Sequence, residues 1–231
     1  MSDARGGFNI LPAGDACLLV VFDERIDPEI NARCVAVAEA LQQHGCAGVR
    51  DVVPTYHTVA IHFDPRQGDP EQLRAEIERE LATETGPTSS ERTPIDVPVC
   101  YGGEFGPDLS SVAAFASCSE EEVIRLHAGA IYRVYMLGFM PGFAYLGQVR
   151  TRIAAPRLPR PRPLVPARSV GIAGRQTGIY PIATPGGWQL IGRAAVTPFD
   201  PGREMPFLFK PGDTVRFLPI ARPDFHALTG E

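Results

Sequence analysis

Cys17 to Phe22 is an unbroken apolar run of strand length, and Asp27-Pro28 just downstream supplies an N-cap with proline at the first helical position. Ile30, Cys34, Val37, Ala38 and Leu41 then recur at three- and four-residue spacing, and His44-Gly45 ends the pattern with a cation and a flexible glycine. One strand and one amphipathic helix follow from this. Val49–Val53 and His57–Phe63 flank Pro54-Thr55-Tyr56 and predict a hairpin. Asp69-Pro70 repeats the capping signal, with Leu73, Ile77 and Leu81 on one helical face. Counting Ile95–Val99 as a last strand, the order is β-α-β-β-α-β, the split βαβ or ferredoxin-like arrangement.

Thr83 to Pro94, with Gly86-Pro87-Thr88-Ser89-Ser90, has linker composition. The expectation is therefore an α+β chain with a small ferredoxin-like domain over 1–90 and a second domain over 91–231. In the second part Ser119-Glu120-Glu121-Glu122 forms a capping box ahead of Val123, Ile124 and Leu126. Beyond that helix come Ile131–Leu137, Val170–Ala173, Ile179–Ala183, Trp188–Ile191 and Thr214–Leu218, all short, β-branched or aromatic, and bounded by Gly or Pro. Such a series predicts a closed or nearly closed β-barrel.

Composition separates the two parts further. The chain has 231 residues and a formal net charge of −5, which gives no broad attraction for nucleic acid. Yet Val123 to Phe199 runs for 77 residues without one Asp or Glu while holding ten arginines; an enclosed patch of that sign attracts anions. Lys210 is the only lysine, and Phe209-Lys210-Pro211-Gly212 cannot form a Walker A loop, so this chain has no P-loop. Schiff-base, biotinyl-lysine and Ser/Ser/Lys amidase chemistry would all fall on that one residue. The five cysteines lack Cys-x-x-Cys spacing and read as reduced thiols; His57 and His62, five apart on a strand, face opposite sides and cannot share a metal. No metal site is expected. With neither a signal-peptide core nor an apolar run of about 20 residues, a cytoplasmic location and no membrane contact are expected.

The patterned text of the acid-free stretch carries the candidate chemistry. Gln176, Thr177 and Tyr180 with Trp188 and Arg193 combine a polar pair, an aromatic floor and a guanidinium, as orientation of a polar planar ligand requires; the rival is that the glycines are turn residues and Tyr180 and Trp188 pack the barrel. Gly138 to Gly147 lacks G-x-G-x-x-G and offers Phe139, Met140, Phe143 and Tyr145 as a pocket wall or partner face. His127, after the capped helix, is the best general-base candidate, against the alternative of a satisfied helix-end histidine. Pro156 to Pro163 carries Arg157, Arg160 and Arg162 on a polyproline-like segment without regular pairing: a solvated loop, or a docking edge or lid over an anionic ligand.

Val97–Leu109 (VPVCYGGEFGPDL), Tyr132–Phe139 (YRVYMLGF) with Pro141-Gly142-Phe143, and the Gln176–Pro181 and Pro185–Arg193 blocks make the chain resemble a known family. It includes KipI-type sensor-kinase inhibitors, the PxpB-type subunit of the prokaryotic 5-oxoprolinase, and allophanate hydrolase subunit 1, a part of the carboxyltransferase region of urea amidolyases. The resemblance implies a cyclophilin-like β-barrel after a smaller α/β domain. It also implies two partners, a homologous cyclophilin-like subunit of the PxpC or KipA type and a lactamase-type subunit. Together they complete a hydrolase acting on a cyclic amide, with ATP used at the level of the complex. The expected activity is that of a subunit opening 5-oxo-L-proline to L-glutamate. The alternatives are inhibition of a sensor histidine kinase and a role in urea or allophanate metabolism. Arg168 and Arg175 depart from the resemblance, standing where Gly and Asn are expected.

Overall fold

A computed structural model describes residues 7–83 and 93–230. The chain divides into two compact units, Met1–Glu91 and Arg92–Glu231. The linker expected over Thr83–Pro94 lies largely outside the described residues.

In the first unit the elements are β1 (Asn9–Pro12), β2 (Cys17–Val21), α1 (Pro28–His44), β3 (Val49–Pro54), β4 (Thr58–Phe63) and α2 (Pro70–Thr83). Asp27 caps α1 by accepting from the Glu29 and Ile30 backbone N–H groups at 2.8 and 3.3 Å, and Gly45 closes it with φ 64°. Both helices bury the faces that the spacing marks: Ile30, Cys34, Val37 and Leu41 of α1 and Leu73, Ile77 and Leu81 of α2 pack on Val20, Val59, Ile61 and Phe63. Truncating a residue as enclosed as Ile77 to alanine costs about 2–5 kcal/mol.

The sheet is antiparallel in the order β1-β2-β4-β3. The expected β-α-β-β-α-β order is corrected here. β2 and β3 do flank β4, but the strand on the other side of β2 is β1, which precedes it, and Ile95–Val99 contributes nothing to this sheet. β1 has a single buried side chain, Ile10, so it carries no alternation to read.

The second unit contains β5 (Ile95–Tyr101), α3 (Leu109–Ala116), α4 (Glu120–Ala128), β6 (Ile131–Leu137), β7 (Ala144–Gly147), β8 (Arg162–Val165), β9 (Ser169–Ala173), β10 (Gln176–Ile179), β11 (Thr184–Gly186), β12 (Gln189–Ala194), β13 (Thr214–Pro219) and α5 (Arg222–Thr229). Seven strands close a barrel in the order β10-β7-β6-β13-β5-β12-β9. β5 joins β13 in parallel, Val97 opposite Phe217, and this is where the misassigned strand belongs. The interior is filled by Val97, Val99, Tyr132, Val134, Leu146, Val170, Ile172, Ile191 and Phe217, with α3 and α4 packed against it through Leu109, Val112, Val123 and Leu126. Ser119 caps α4, its Oγ accepting from Glu122 N at 3.3 Å.

Outside the barrel, β8 and β11 form a two-stranded ribbon, Val165 opposite Thr184 and Arg162 opposite Gly186. The arginine-proline segment is thus paired at its end, correcting the expectation of no regular pairing. Its start is fastened too: Leu158 N donates to Gly187 O at 2.7 Å and Gln189 Nε2 to Pro156 O at 3.0 Å. The cysteines are all free thiols. Among the described residues no helix is long and apolar enough to cross a membrane, and no cluster of three His, Cys, Asp or Glu side chains could hold a metal ion.

Candidate functional site

The glycines of the patterned blocks position aromatic rings. Gly178 lies on β10 where a Cβ would meet Ala144 O at 2.9 Å, the Phe143 ring at 3.1 Å and the Trp188 ring at 3.3 Å. A Cβ on Gly186 would stand 2.5 Å from the Tyr180 hydroxyl. With both positions bare, Phe143, Tyr180 and Trp188 meet edge to face: Phe143 lies 5.4 Å from Trp188 at 88° and 5.3 Å from Tyr180 at 76°. Tyr145 extends the cluster, 4.9 Å from Phe143 and 6.1 Å from Trp188. Such pairs contribute about 0.5–1.5 kcal/mol each beyond the area they bury, so the ring arrangement is rigid.

The cluster borders a cavity of about 240 Å³, lined by Phe139, Phe143, Tyr145, Tyr180 and Trp188 together with Arg157, Pro161 and Pro185–Gly187. Its volume falls below the roughly 300–1,000 Å³ of pockets for drug-sized ligands, so it suits a small guest. Arg157 brings the positive charge, its Cζ 5.9 Å from the Trp188 ring centre. Burial pushes the Tyr180 hydroxyl above the ordinary phenol range, offset in part by a backbone hydrogen bond to Trp188 and by Arg157. Burial raises Tyr145 as well, with Arg157 opposing. Both phenols therefore keep their protons at neutral pH.

The ribbon that carries lining residue Gly186 is held by a charge that sequence reasoning did not single out. Asp108 is 6% exposed; its Oδ2 accepts from Leu190 N at 2.7 Å, and its Oδ1 pairs with Arg162 Nη2 at 2.5 Å. The ion pair pins the ribbon against the strand that follows Trp188. The one available signal is that Gly106-Pro107-Asp108-Leu109 falls inside a block resembling the family. Arg162 Nη1 is buried and has no hydrogen-bond partner.

The remaining expected site residues lie elsewhere. Thr177 and His127 come together, but inside the barrel, each 0% exposed. Thr177 Oγ1 donates to Gly171 O at 3.0 Å, so it accepts from His127 Nε2 at 2.9 Å; Nδ1 then accepts from the Tyr101 hydroxyl at 2.8 Å. The imidazole stacks on Phe217 with ring centres 4.6 Å apart, and burial drives its pKa down to about 3, which keeps it neutral. Gln176 sits half-buried on β10 opposite Gly147 and Ala173. Arg193 lies five residues beyond Trp188, about 16 Å along an extended chain, with its Cζ 4.8 Å from the Phe105 ring. The expected partner face divides: Phe139 is 62% exposed and Met140 half-buried, whereas Phe143 is 1% exposed and belongs to the cavity.

Residues 8–209 match the model of the carboxyltransferase domain, subdomain C and D. The chain belongs to this family. Within it, the B subunit of 5-oxoprolinase from Bacillus subtilis (strain 168) is 41% identical over 97% of this chain and 98% of its own length. The crystal structure of TTHA0988 superposes with a TM-score of 0.81 at 42% identity; it covers 90% of this chain, which spans about two fifths of that protein, 41%. The Kluyveromyces lactis urea carboxylase covers 98% of the chain with a TM-score of 0.73 but only 20% identity, and the chain spans 23% of it. That likeness shows the carboxyltransferase fold alone.

Proposed function

We propose that this carboxyltransferase-family chain is the PxpB-type subunit of an ATP-dependent 5-oxoprolinase, which opens the lactam of 5-oxo-L-proline to L-glutamate. The carrying observation is the match to the Bacillus subtilis relative along nearly the whole of both chains. The barrel is of cyclophilin-like type, and its partners in the cytoplasm are a homologous cyclophilin-like subunit and a lactamase-type subunit. With no P-loop and one lysine in this chain, ATP is handled by the assembled complex and not by a phosphate loop here.

In this reading the aromatic cavity receives the lactam. The five-membered ring lies against Trp188 and Tyr180, and its carboxylate faces Arg157 and the protonated hydroxyls of Tyr145 and Tyr180. The chain orients and desolvates the substrate; the groups that activate it come from the partners. His127 and Thr177 hold the barrel interior. The test is a substrate panel on the chain purified with both partner subunits. ATP hydrolysis should be driven by 5-oxo-L-proline and not by allophanate or urea, and the chain alone should leave histidine-kinase autophosphorylation unchanged. ATP hydrolysis driven only by the other amides, or kinase inhibition by the isolated chain, would replace this function with one of the alternatives.

A further inference from the structure

Among the rings that line the aromatic cavity, Phe139 differs from the rest in exposure: 62% of it faces solvent, against 1% for Phe143 and Tyr180 and 5% for Trp188. We propose that Phe139 is a substrate-contacting residue of this cavity, its ring covering the methylene edge of the lactam from the solvent side and holding the guest against the buried aromatics. The inference rests on the reading of the cavity as the lactam site.

The backbone under this ring is strained. Phe139 has φ 65°, a left-handed conformation that a bulky residue takes only under constraint. Met140 N donates to Gly138 O at 2.7 Å, which closes a three-residue turn around Phe139, and Gly138 N donates to Phe143 O and Phe143 N to Met140 O, both at 3.1 Å. Gly142, with φ 80°, fixes the far side of the loop: a Cβ there would stand 2.4 Å from Phe199 Cβ, so the backbone lies directly on Phe199. A glycine would occupy the position of Phe139 without strain. Burial does not favour phenylalanine there either, since most of the ring faces solvent. Strain at a position that folding itself does not reward is a mark of ligand contact, and what phenylalanine adds is an apolar face beside the cavity.

The ring is placed for that use. It meets Phe143 edge to face, with centres 5.6 Å apart at 84°, and Phe143 in turn meets Trp188 and Tyr180. Phe139 thus continues the aromatic surface of the cavity outward. A lactam whose carboxylate faces Arg157 still has its ring methylenes to shield from water, and a phenyl ring does so without offering a competing polar group. The methylenes take no part in opening the amide, so this contact is as strong in the bound substrate as in the transition state. Its loss therefore raises KM and leaves kcat nearly unchanged.

The test compares the native chain with Phe139→Gly, Phe139→Leu and Phe115→Ala, each assembled with both partner subunits. Phe115 on α3 is a comparably exposed phenylalanine, 53%, that does not line the cavity. Steady-state rates of 5-oxo-L-proline-dependent ATP hydrolysis give KM and kcat, titration of each chain into fixed partners gives the amount needed for half-maximal rate, and urea unfolding of the isolated chains reports the fold. Phe139→Gly should raise KM about five- to thirtyfold with kcat within about twofold, need no more chain for half-maximal rate, and unfold at a urea midpoint no lower than the native one, because the strain is gone. Phe139→Leu keeps an apolar cover and should raise KM less; Phe115→Ala should match the native chain. An unchanged KM in Phe139→Gly, an equal rise in Phe139→Leu, or a fall in the urea midpoint of Phe139→Gly overturns the proposal. A larger amount of Phe139→Gly needed at unchanged KM also overturns it, by assigning the ring to a partner contact. In all these cases the native complex still turns over the lactam; if it does not, the lactam reading itself fails and this role falls with it.

Discussion

Lowering the pH from 7 to 5 should destabilise the barrel unit through His127. In the folded chain the imidazole is fully enclosed, accepts from Tyr101, donates to Thr177 and stacks on Phe217, so its charged form is excluded and its pKa falls to about 3. In the unfolded chain it titrates near 6.5. Between those values the unfolded state binds the extra proton, so the stability contributed by the neutral imidazole is intact above pH 6.5 and is lost progressively as pH falls towards 3. From pH 7 to 5 the loss is about 2 kcal/mol, on the basis of about 1.36 kcal/mol per unit. Trp188 is the chain's single tryptophan and lies in the barrel unit, so urea unfolding followed by its fluorescence reports that unit. His127→Gln removes the titration at the cost of about 2–3 kcal/mol at pH 7, from the lost ring packing and hydrogen bonds. The remaining histidines are common to both proteins and cancel in the comparison. The native chain should therefore lose about 2 kcal/mol more than the variant over this interval. Equal losses in the two proteins would refute a buried neutral His127.

Other perturbations address the cavity. Arg157→Gln removes an exposed guanidinium from the cavity wall; the KM for the lactam should rise about 10- to 100-fold with little change in kcat or in urea midpoint, since one charged hydrogen bond contributes about 1.5–3 kcal/mol. Asp108→Asn leaves Arg162 without its counter-ion against the barrel and should lower unfolding free energy by about 2–4 kcal/mol; a loss under about 0.5 kcal/mol would show that the ribbon is held by its backbone pairing alone. Gly186→Ala drives a Cβ into the Tyr180 ring and should cost about 1–3 kcal/mol, measured by urea unfolding, and should depress lactam-dependent turnover more than alanine substitution of exposed loop residues does.

What the sequence reveals here tracks how local each signal is. α1 and α2 are legible because Asp27-Pro28 and Asp69-Pro70 act on their own first turns and the apolar residues repeat every three or four positions. β5 is legible as a strand but not as a member of the barrel: its parallel partner β13 lies about 120 positions downstream, the separation of Asp96 from Arg216, and nothing in Ile95–Val99 encodes that choice. β1 exposes three of its four side chains and contains a proline, so it has neither alternation nor propensity to mark it.

The site divides in the same way. Tyr180 and Trp188 stand beside glycines that clear space for rings, and that juxtaposition is visible in the text. The meeting of His127 with Thr177 joins residues fifty apart across the barrel, and Arg193 is separated from Trp188 by the run of a strand. Asp108 acts through Arg162, 54 positions away, and nothing in the residues beside it encodes that pairing.

The central claim is that this chain is an indispensable lactam-handling subunit. The most direct measurement is the rate of 5-oxo-L-proline-dependent ATP hydrolysis as increasing amounts of the chain are added to fixed amounts of the lactamase-type and homologous cyclophilin-like partners. The account predicts no lactam-dependent hydrolysis without the chain, a proportional rise on addition, and a plateau once the partners are saturated. Full turnover in its absence, or a rate indifferent to its addition, would contradict it.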